Sequence, residues 1–159
     1  FHTSQYLAQA RIPDAIRDAL KISKIIALLK ENGKIRGIAA GHCFRRLTSK
    51  AIAKQKHSQF CNLVNPDNFG LSNRSGTDAL VHFLQLLSDS DPDFVITSID
   101  GVGAFDHIAR ARIFEQLLAN TELNDLVPFV KLWYDAPTLY KWEDDNGKTH
   151  DILQGDGGE

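Results

Sequence analysis

Two stretches of this chain place apolar runs on either side of an Asn-Gly pair, and both predict β-hairpins. In the first, Ile25-Ile26-Ala27-Leu28-Leu29-Lys30 is apolar and partly β-branched. Asn32-Gly33 follows, and Lys34-Ile35-Arg36-Gly37-Ile38-Ala39-Ala40 sets Ile35 and Ile38 near an apolar side with Lys34 and Arg36 polar. Asn-Gly between two strand-like runs is a strong short-range hairpin signal, so a hairpin is expected from about Ile25 to Ala40. The second is Leu139 to Trp142 and Lys148 to Leu153 around Asp144-Asp145-Asn146-Gly147.

Outside these hairpins the period becomes helical. Pro13 sits where a first helical turn accepts it, and Asp14 to Leu20 reads as a short helix. The twelve residues before it carry little pattern. From His42 to Lys56, Phe44, Leu47, Ala51 and Ile52 recur at helical spacing, with Arg45, Arg46, Lys50, Lys54 and Lys56 on other faces. This basic amphipathic helix is either a solvated surface or a face for a polyanion. Asn65 to Gly76 is turn-rich, interrupted by Phe69 and Leu71. Ala79 to Leu87 is a helix with Leu80, Phe83, Leu84 and Leu87 as its expected buried stripe. Further helices are expected from about His107 to Ala119 and from Asn124 to Tyr134. There are no internal repeats.

The run Phe94-Val95-Ile96-Thr97-Ser98-Ile99 ends in Asp100 and is followed by Gly101-Val102-Gly103-Ala104-Phe105-Asp106. A buried strand that delivers an acid to its C-terminal edge places a metal ligand in a cleft. An aspartate here also serves as a helix cap. The strand reading puts Asp100 at the end of a central strand of an antiparallel sheet flanked by helices, an α/β (α+β) fold.

Composition narrows the class. The chain has 159 residues and a formal net charge of -2, which excludes a uniformly basic protein but not a local basic patch. No apolar run approaches the roughly 20 residues that span a bilayer, so no membrane partner is expected. The two cysteines, Cys43 and Cys61, lack metal-ligand spacing and fit a reduced intracellular compartment. The chain contains no Met, starts at Phe1 and stops in the loop-like Gly157-Gly158-Glu159, so it is expected to be a piece of a longer product.

One carboxylate for a divalent metal, together with Arg36 and Lys34 for phosphates, suggests phosphoryl or nucleotidyl transfer. That chemistry uses a second carboxylate, for which Asp106, Asp144, Asp145 and Asp156 are the candidates. Asp106 also reads as the N-cap of the helix that follows it.

These residues carry a resemblance. Asp100-Gly101-Val102-Gly103-Ala104-Phe105-Asp106 resembles motif A of reverse transcriptases, Asp-x-x-x-Ala-Phe-Asp in non-LTR retrotransposons and group II intron proteins. Gly33-Lys34-Ile35-Arg36-Gly37-Ile38 is similar to the fingers hairpin of that family, with Gly37 where the family often has Pro. Phe44-Arg45-Arg46-Leu47 and Lys50-Ala51-Ile52-Ala53-Lys54 resemble the next fingers helix. Phe69-Gly70-Leu71-Ser72-Asn73-Arg74-Ser75-Gly76-Thr77 resembles the Gln-x-Gly-Phe loop and the helix start after it, with Asn68 in place of Gln. The four segments stand in family order over about residues 25 to 110.

The resemblance implies a right-hand polymerase fold, with an N-terminal extension over 1–24, a fingers-like region over 25–90 and a partial palm over 91–159. It implies that Asp100 and the Gly101 carbonyl hold Mg²⁺ in a two-metal site that this chain does not complete. Arg36, more weakly Lys34, would contact the incoming triphosphate. Phe105 would exclude a ribose 2′-hydroxyl. Arg45, Arg46, Lys50 and Lys54 would track template phosphates. The implied partners are an RNA template, a DNA primer and deoxynucleoside triphosphates, with a nuclear location if the element is eukaryotic. The runner-up is a non-catalytic nucleic-acid-binding remnant of the same fold. Tyr140-Lys141-Trp142-Glu143-Asp144-Asp145 is not the family's Tyr-x-Asp-Asp hairpin, because three residues separate Tyr140 from Asp144. Motif B begins either at Gln154-Gly155-Asp156, with Gly157 where Pro is usual, or beyond Glu159.

Overall fold

The structure, a computed structural model, describes residues 2–101 and 103–154, and only the backbone of Ser72, Phe105 and Asp106. Gly155, Asp156 and Gly157, which bear on where motif B begins, lie outside the described residues. The chain divides into two compact units, Phe1–Ala53 with Gly103–Glu159, and Lys54–Val102.

The first unit is mixed α/β. Both expected hairpins form. β1 (Ser23–Leu29) pairs antiparallel with β2 (Ile35–Ala40), with Leu28 opposite Arg36 and Ile26 opposite Ile38. β3 (Leu139–Glu143) pairs antiparallel with β4 (Thr149–Leu153), with Tyr140 opposite Ile152. The two turns are built alike. Lys30 N–H donates to Lys34 O at 2.8 Å and Gly33 N–H to Lys30 O at 2.9 Å. Asp144 N–H donates to Lys148 O at 3.0 Å and Gly147 N–H to Asp144 O at 2.9 Å. Gly33 and Gly147 each have φ of +76°, the left-handed position that closes a three-residue hairpin loop and favours glycine.

The sheet differs from expectation. Its order is β2-β1-β3-β4, and β1 and β3 run parallel, Ser23 opposite Tyr140 and Lys24 opposite Lys141. It is therefore a mixed sheet, not an antiparallel one. Two parallel strands need a long crossover, and here it is the whole chain from the end of β1 to β3, with β2 included. The hairpin assigned to the fingers-like region and the one assigned to the partial palm share this sheet.

Helices α1 (His2–Ala8), α2 (Asp14–Lys21), α3 (Cys43–Gln55), α7 (Ala104–His107), α8 (Arg110–Ala119) and α9 (Val127–Tyr134) accompany it; α4 (His57–Val64), α5 (Phe69–Ser72) and α6 (Gly76–Ser90) belong to the second unit. Pro128 sits in the first turn of α9, where its missing N–H is harmless. The core joins Leu7 of α1 to Phe129, Leu132 and Trp133 of α9, with Ala10, Ile12, Leu20, Ile52 and Tyr134 packed against it. Leu7, from the stretch without a sequence pattern, is the most buried of these at 1% exposed. Its burial contributes about 2 kcal/mol. The helix expected from His107 starts at Arg110 as α8, with Ala109 as its N-cap, and a separate turn, α7, precedes it with Asp106 inside rather than at its N-cap.

In the second unit Phe69 and Phe83 meet at 5.8 Å, and the Asn68 side chain caps α5 by accepting from Leu71 N–H at 2.9 Å. The expected central strand is not there. Phe94 to Asp100 forms no ladder, and Val95 and Ile99 are 81% and 90% exposed. A strand is stable only beside a partner that takes up its N–H and C=O groups. The described residues of this unit form helices and turns and supply no such partner.

Two measurements follow from this packing. Lys21 Nζ donates to Asp135 Oδ1 at 2.6 Å, and the lysine side chain is 9% exposed against 29% for the aspartate. Asp135→Ala strands a buried ammonium and is expected to lower unfolding free energy by about 3 kcal/mol. Lys21→Met leaves a carboxylate that water reaches, and urea unfolding should find it less damaging. In the second unit a Cβ on Gly76 would lie 1.8 Å from the Phe69 carbonyl oxygen, whereas one on Gly70 meets nothing closer than 3.5 Å. Thermal melts should therefore show Gly76→Ala destabilised and Gly70→Ala close to wild type.

Candidate functional site

The first unit contains a cleft of about 950 Å³. Its walls come from β2 (Gly37 to Ala40), from α3 (Arg45, Arg46, Ser49) and from α9 and the chain after it (Trp133, Tyr134, Thr138, Tyr140). Local rules explain these positions. On α3 the residues turned inward are Arg45, Thr48, Ser49 and Ile52, an i, i+3, i+4, i+7 stripe. Of the expected apolar stripe only Ile52 turns inward; Phe44, Leu47 and Ala51 are exposed. The helix is thus rotated from the orientation its apolar residues suggest. The reason is Arg45, whose guanidinium lies 5.1 Å from the Trp133 ring centre and 5.6 Å from that of Tyr134 and reaches the Tyr134 hydroxyl at 3.5 Å. An arginine stem and planar head cover aromatic surface as an apolar side chain would, with electrostatic attraction added.

A second guanidinium meets the same ring. Arg110 is 6% exposed and stands 5.4 Å from the Tyr134 ring centre. It donates to Ala136 O at 2.8 Å and Thr138 Oγ1 at 3.2 Å, which fixes the loop between α9 and β3. The Tyr140 hydroxyl donates to Gln154 Oε1. Trp133 is 2% exposed and its Nε1–H has no partner among the described residues, an unmet donor beside the cleft. The cleft therefore offers cations, hydroxyls and aromatic faces, a set that suits an anion carrying a planar group.

The residues singled out by sequence distribute as follows. Arg45 and Arg46 share the cleft. Lys50 and Lys54 are exposed on α3. Arg36 on β2 and Lys34 in the turn before it are exposed and do not line the cleft. Asp100 and Gly101 are exposed in the second unit, on irregular chain. The side chains of Phe105 and Asp106 lie outside the described residues. Trp133, Tyr134, Arg110 and Thr138 have no site role in the sequence reading, and Tyr140 enters it only in the rejected Tyr-x-Asp-Asp comparison. The one available signal was the aromatic pair Phe129 and Trp133 at i, i+4, whose rings meet edge-on at 5.9 Å.

The implied Mg²⁺ would find only part of a ligand set among the described residues. Among the described residues no three His, Cys, Asp or Glu side chains converge, and Asp100 offers a single carboxylate. No catalytic step through a metal follows from this arrangement. Of the candidate second acids, Asp156 and the Asp106 side chain are outside the described residues, and Asp145 is exposed at the β3–β4 turn. Asp144 is committed to that turn. Its Oδ1 accepts from Asn146 N–H and Lys148 N–H, both at 3.0 Å, and its Oδ2 pairs with His150 Nε2 at 2.8 Å.

The hydrogen bond to His150, then those from Lys148 and Asn146, hold the Asp144 carboxyl below its ordinary value of 3.8. A depressed carboxyl stabilises the folded state above its unfolded pKa, and that contribution is lost as pH falls through the folded value. Urea unfolding midpoints taken from about pH 5 down to about pH 2 should fall more steeply for wild type than for Asp144→Asn.

No protein-family model, no curated protein and no solved structure matches this chain.

Proposed function

We propose that this chain is the fingers and N-terminal palm portion of a retroelement RNA-directed DNA polymerase, acting on an RNA template, a DNA primer and deoxynucleoside triphosphates. The observation that carries the reading is the order of four motif-like segments, from the Lys34–Arg36 hairpin through the basic α3 and the Asn68 loop to Asp100-x-x-x-Ala104-Phe105-Asp106. Three local features support it. The hairpin pairs as that segment requires, with Arg36 exposed near its tip. A helix carries Arg46, Lys50 and Lys54 on its exposed side. Gly103 takes a left-handed φ of +63° at the start of α7, where the motif turns into helix. In this reading Arg46, Lys50 and Lys54 bind backbone phosphates without regard to sequence, Arg36 takes the triphosphate as a planar two-pronged donor, Phe105 would exclude a ribose 2′-hydroxyl, and Asp100 with the Gly101 carbonyl would hold Mg²⁺.

The alternative, a nucleic-acid-binding remnant that keeps the fold and not the reaction, is favoured by one observation. Asp100 stands on unpaired, exposed chain with no second acid gathered to it among the described residues.

Binding and catalysis are tested separately. The 159-residue chain should bind single-stranded RNA with an affinity that falls with salt. Lys50→Ala and Arg46→Ala should each weaken binding for all sequences and reduce the salt slope by about 1. Unchanged slopes would reject the phosphate role. The chain by itself should not extend a primer. Extension on an RNA template by the longest polypeptide encoded around it, abolished by Asp100→Ala, supports the polymerase. Retained RNA binding with no extension by any such polypeptide supports the remnant.

A further inference from the structure

Two histidine–cysteine pairs are used by nothing described so far, His42 with Cys43 and His57 with Cys61. They differ in kind. His42 and Cys43 are sequence neighbours at 3.9 Å, and His42 Nδ1 already accepts Phe44 N–H at 3.3 Å. His57 and Cys61 are four apart on α4, so both side chains rise from one face of the helix. The Cys61 sulfur is 3.5 Å from His57 Nε2 and 3.7 Å from Nδ1. A tetrahedral ion with sulfur at about 2.3 Å and nitrogen at about 2.0–2.1 Å holds those two atoms about 3.6 Å apart. The pair therefore already spans the distance between two ligands of one ion. The sulfur lies almost equally far from both ring nitrogens, so the exposed imidazole has to rotate to aim one lone pair at a shared ion. Cys61 is a free thiol, half-buried, with the Leu71 carbonyl oxygen 3.7 Å from its sulfur on one side.

We propose that His57 and Cys61 form a two-ligand chelate for a borderline-soft divalent cation of the zinc or cadmium class, with water completing its coordination. A metal–sulfur bond and a metal–nitrogen bond form, two waters leave the ion, and the thiol proton passes to solvent. No electron changes hands. Thiolate and imidazole select such ions over Mg²⁺, which prefers oxygen. The site is thus chemically distinct from the one implied at Asp100 and stands whether or not the polymerase reading holds.

The test is titration of the reduced 159-residue chain with Cd²⁺, read by the thiolate-to-cadmium charge-transfer absorption. The band is expected to saturate at one equivalent, to resist excess Mg²⁺, to persist in Cys43→Ser and to vanish in Cys61→Ser. Losing even an outer-shell partner of a metal ligand weakens binding about 10- to 100-fold, so His57→Ala should weaken it at least about tenfold. His57→Cys, which restores a chelating pair at the same spacing, should recover it. His57 is exposed and Cys61 half-buried, and circular dichroism on each variant verifies the fold. A band that survives Cys61→Ser, disappears with Cys43→Ser, yields to Mg²⁺ or is indifferent to His57→Ala overturns the proposal.

Discussion

The parallel joint between β1 and β3 is the constraint on which the sheet-containing unit depends. Ser23 opposite Tyr140 is a contact between residues more than a hundred positions apart, and the Lys21–Asp135 ion pair, 114 positions apart, locks the same joint. For a flexible loop of that length, bringing the ends together costs about 4 kcal/mol in chain entropy. Neither hairpin repays that alone, since an isolated two-stranded ribbon is marginal in water. The offset comes from what the joint brings into contact: the α9 aromatics, Leu7 and the buried lysine. The Lys21 ammonium fixes the register as well, since a one-residue slip would move a charged group off its partner and reverse every strand side chain.

The cleft beside this joint is organised by charge on aromatic surface. Arg45 and Arg110 both approach the Tyr134 ring. Two like charges tolerate such proximity only when each has its own partners. Arg110 has the Ala136 carbonyl and Thr138, and Arg45 has Trp133 and the Tyr134 hydroxyl. The remaining cation, Arg46, is exposed and belongs to the cleft wall. This divides α3: Arg45 holds the helix against the core, while Arg46, Lys50 and Lys54 face solvent. Four basic residues that look equivalent in sequence are thus not equivalent in structure.

The proposed polymerase reading and the geometry meet most closely at the hairpin and at α3, and least at Asp100. The hairpin needs only local information, because an Asn-Gly turn and two apolar runs dictate it. A strand carrying Asp100 needs a neighbour, and the described residues of its unit provide none. That one missing pairing is why the chemistry of nucleotidyl transfer rests on motif order here and not on a gathered set of ligands.

Sequence by itself determined what is short-range. Gly33 and Gly147 set both hairpin turns, because only glycine takes their left-handed φ cheaply. Pro13 marks a helix start, because a fixed φ and a missing N–H fit there. The apolar period over Ala79 to Leu87 specifies a helix, because 3.6-residue spacing suits no other element. Tertiary structure decided the rest. It buried Leu7 from a stretch with no pattern, since a short helix becomes stable when it packs on α9. It turned Arg45 inward and left Phe44 and Leu47 in solvent, since two aromatic rings reward a guanidinium. It set β1 parallel to β3 and left Phe94 to Asp100 without a ladder. A strand's apolar run states only that it can pair, and the partner is chosen by packing between residues that sequence spacing does not relate.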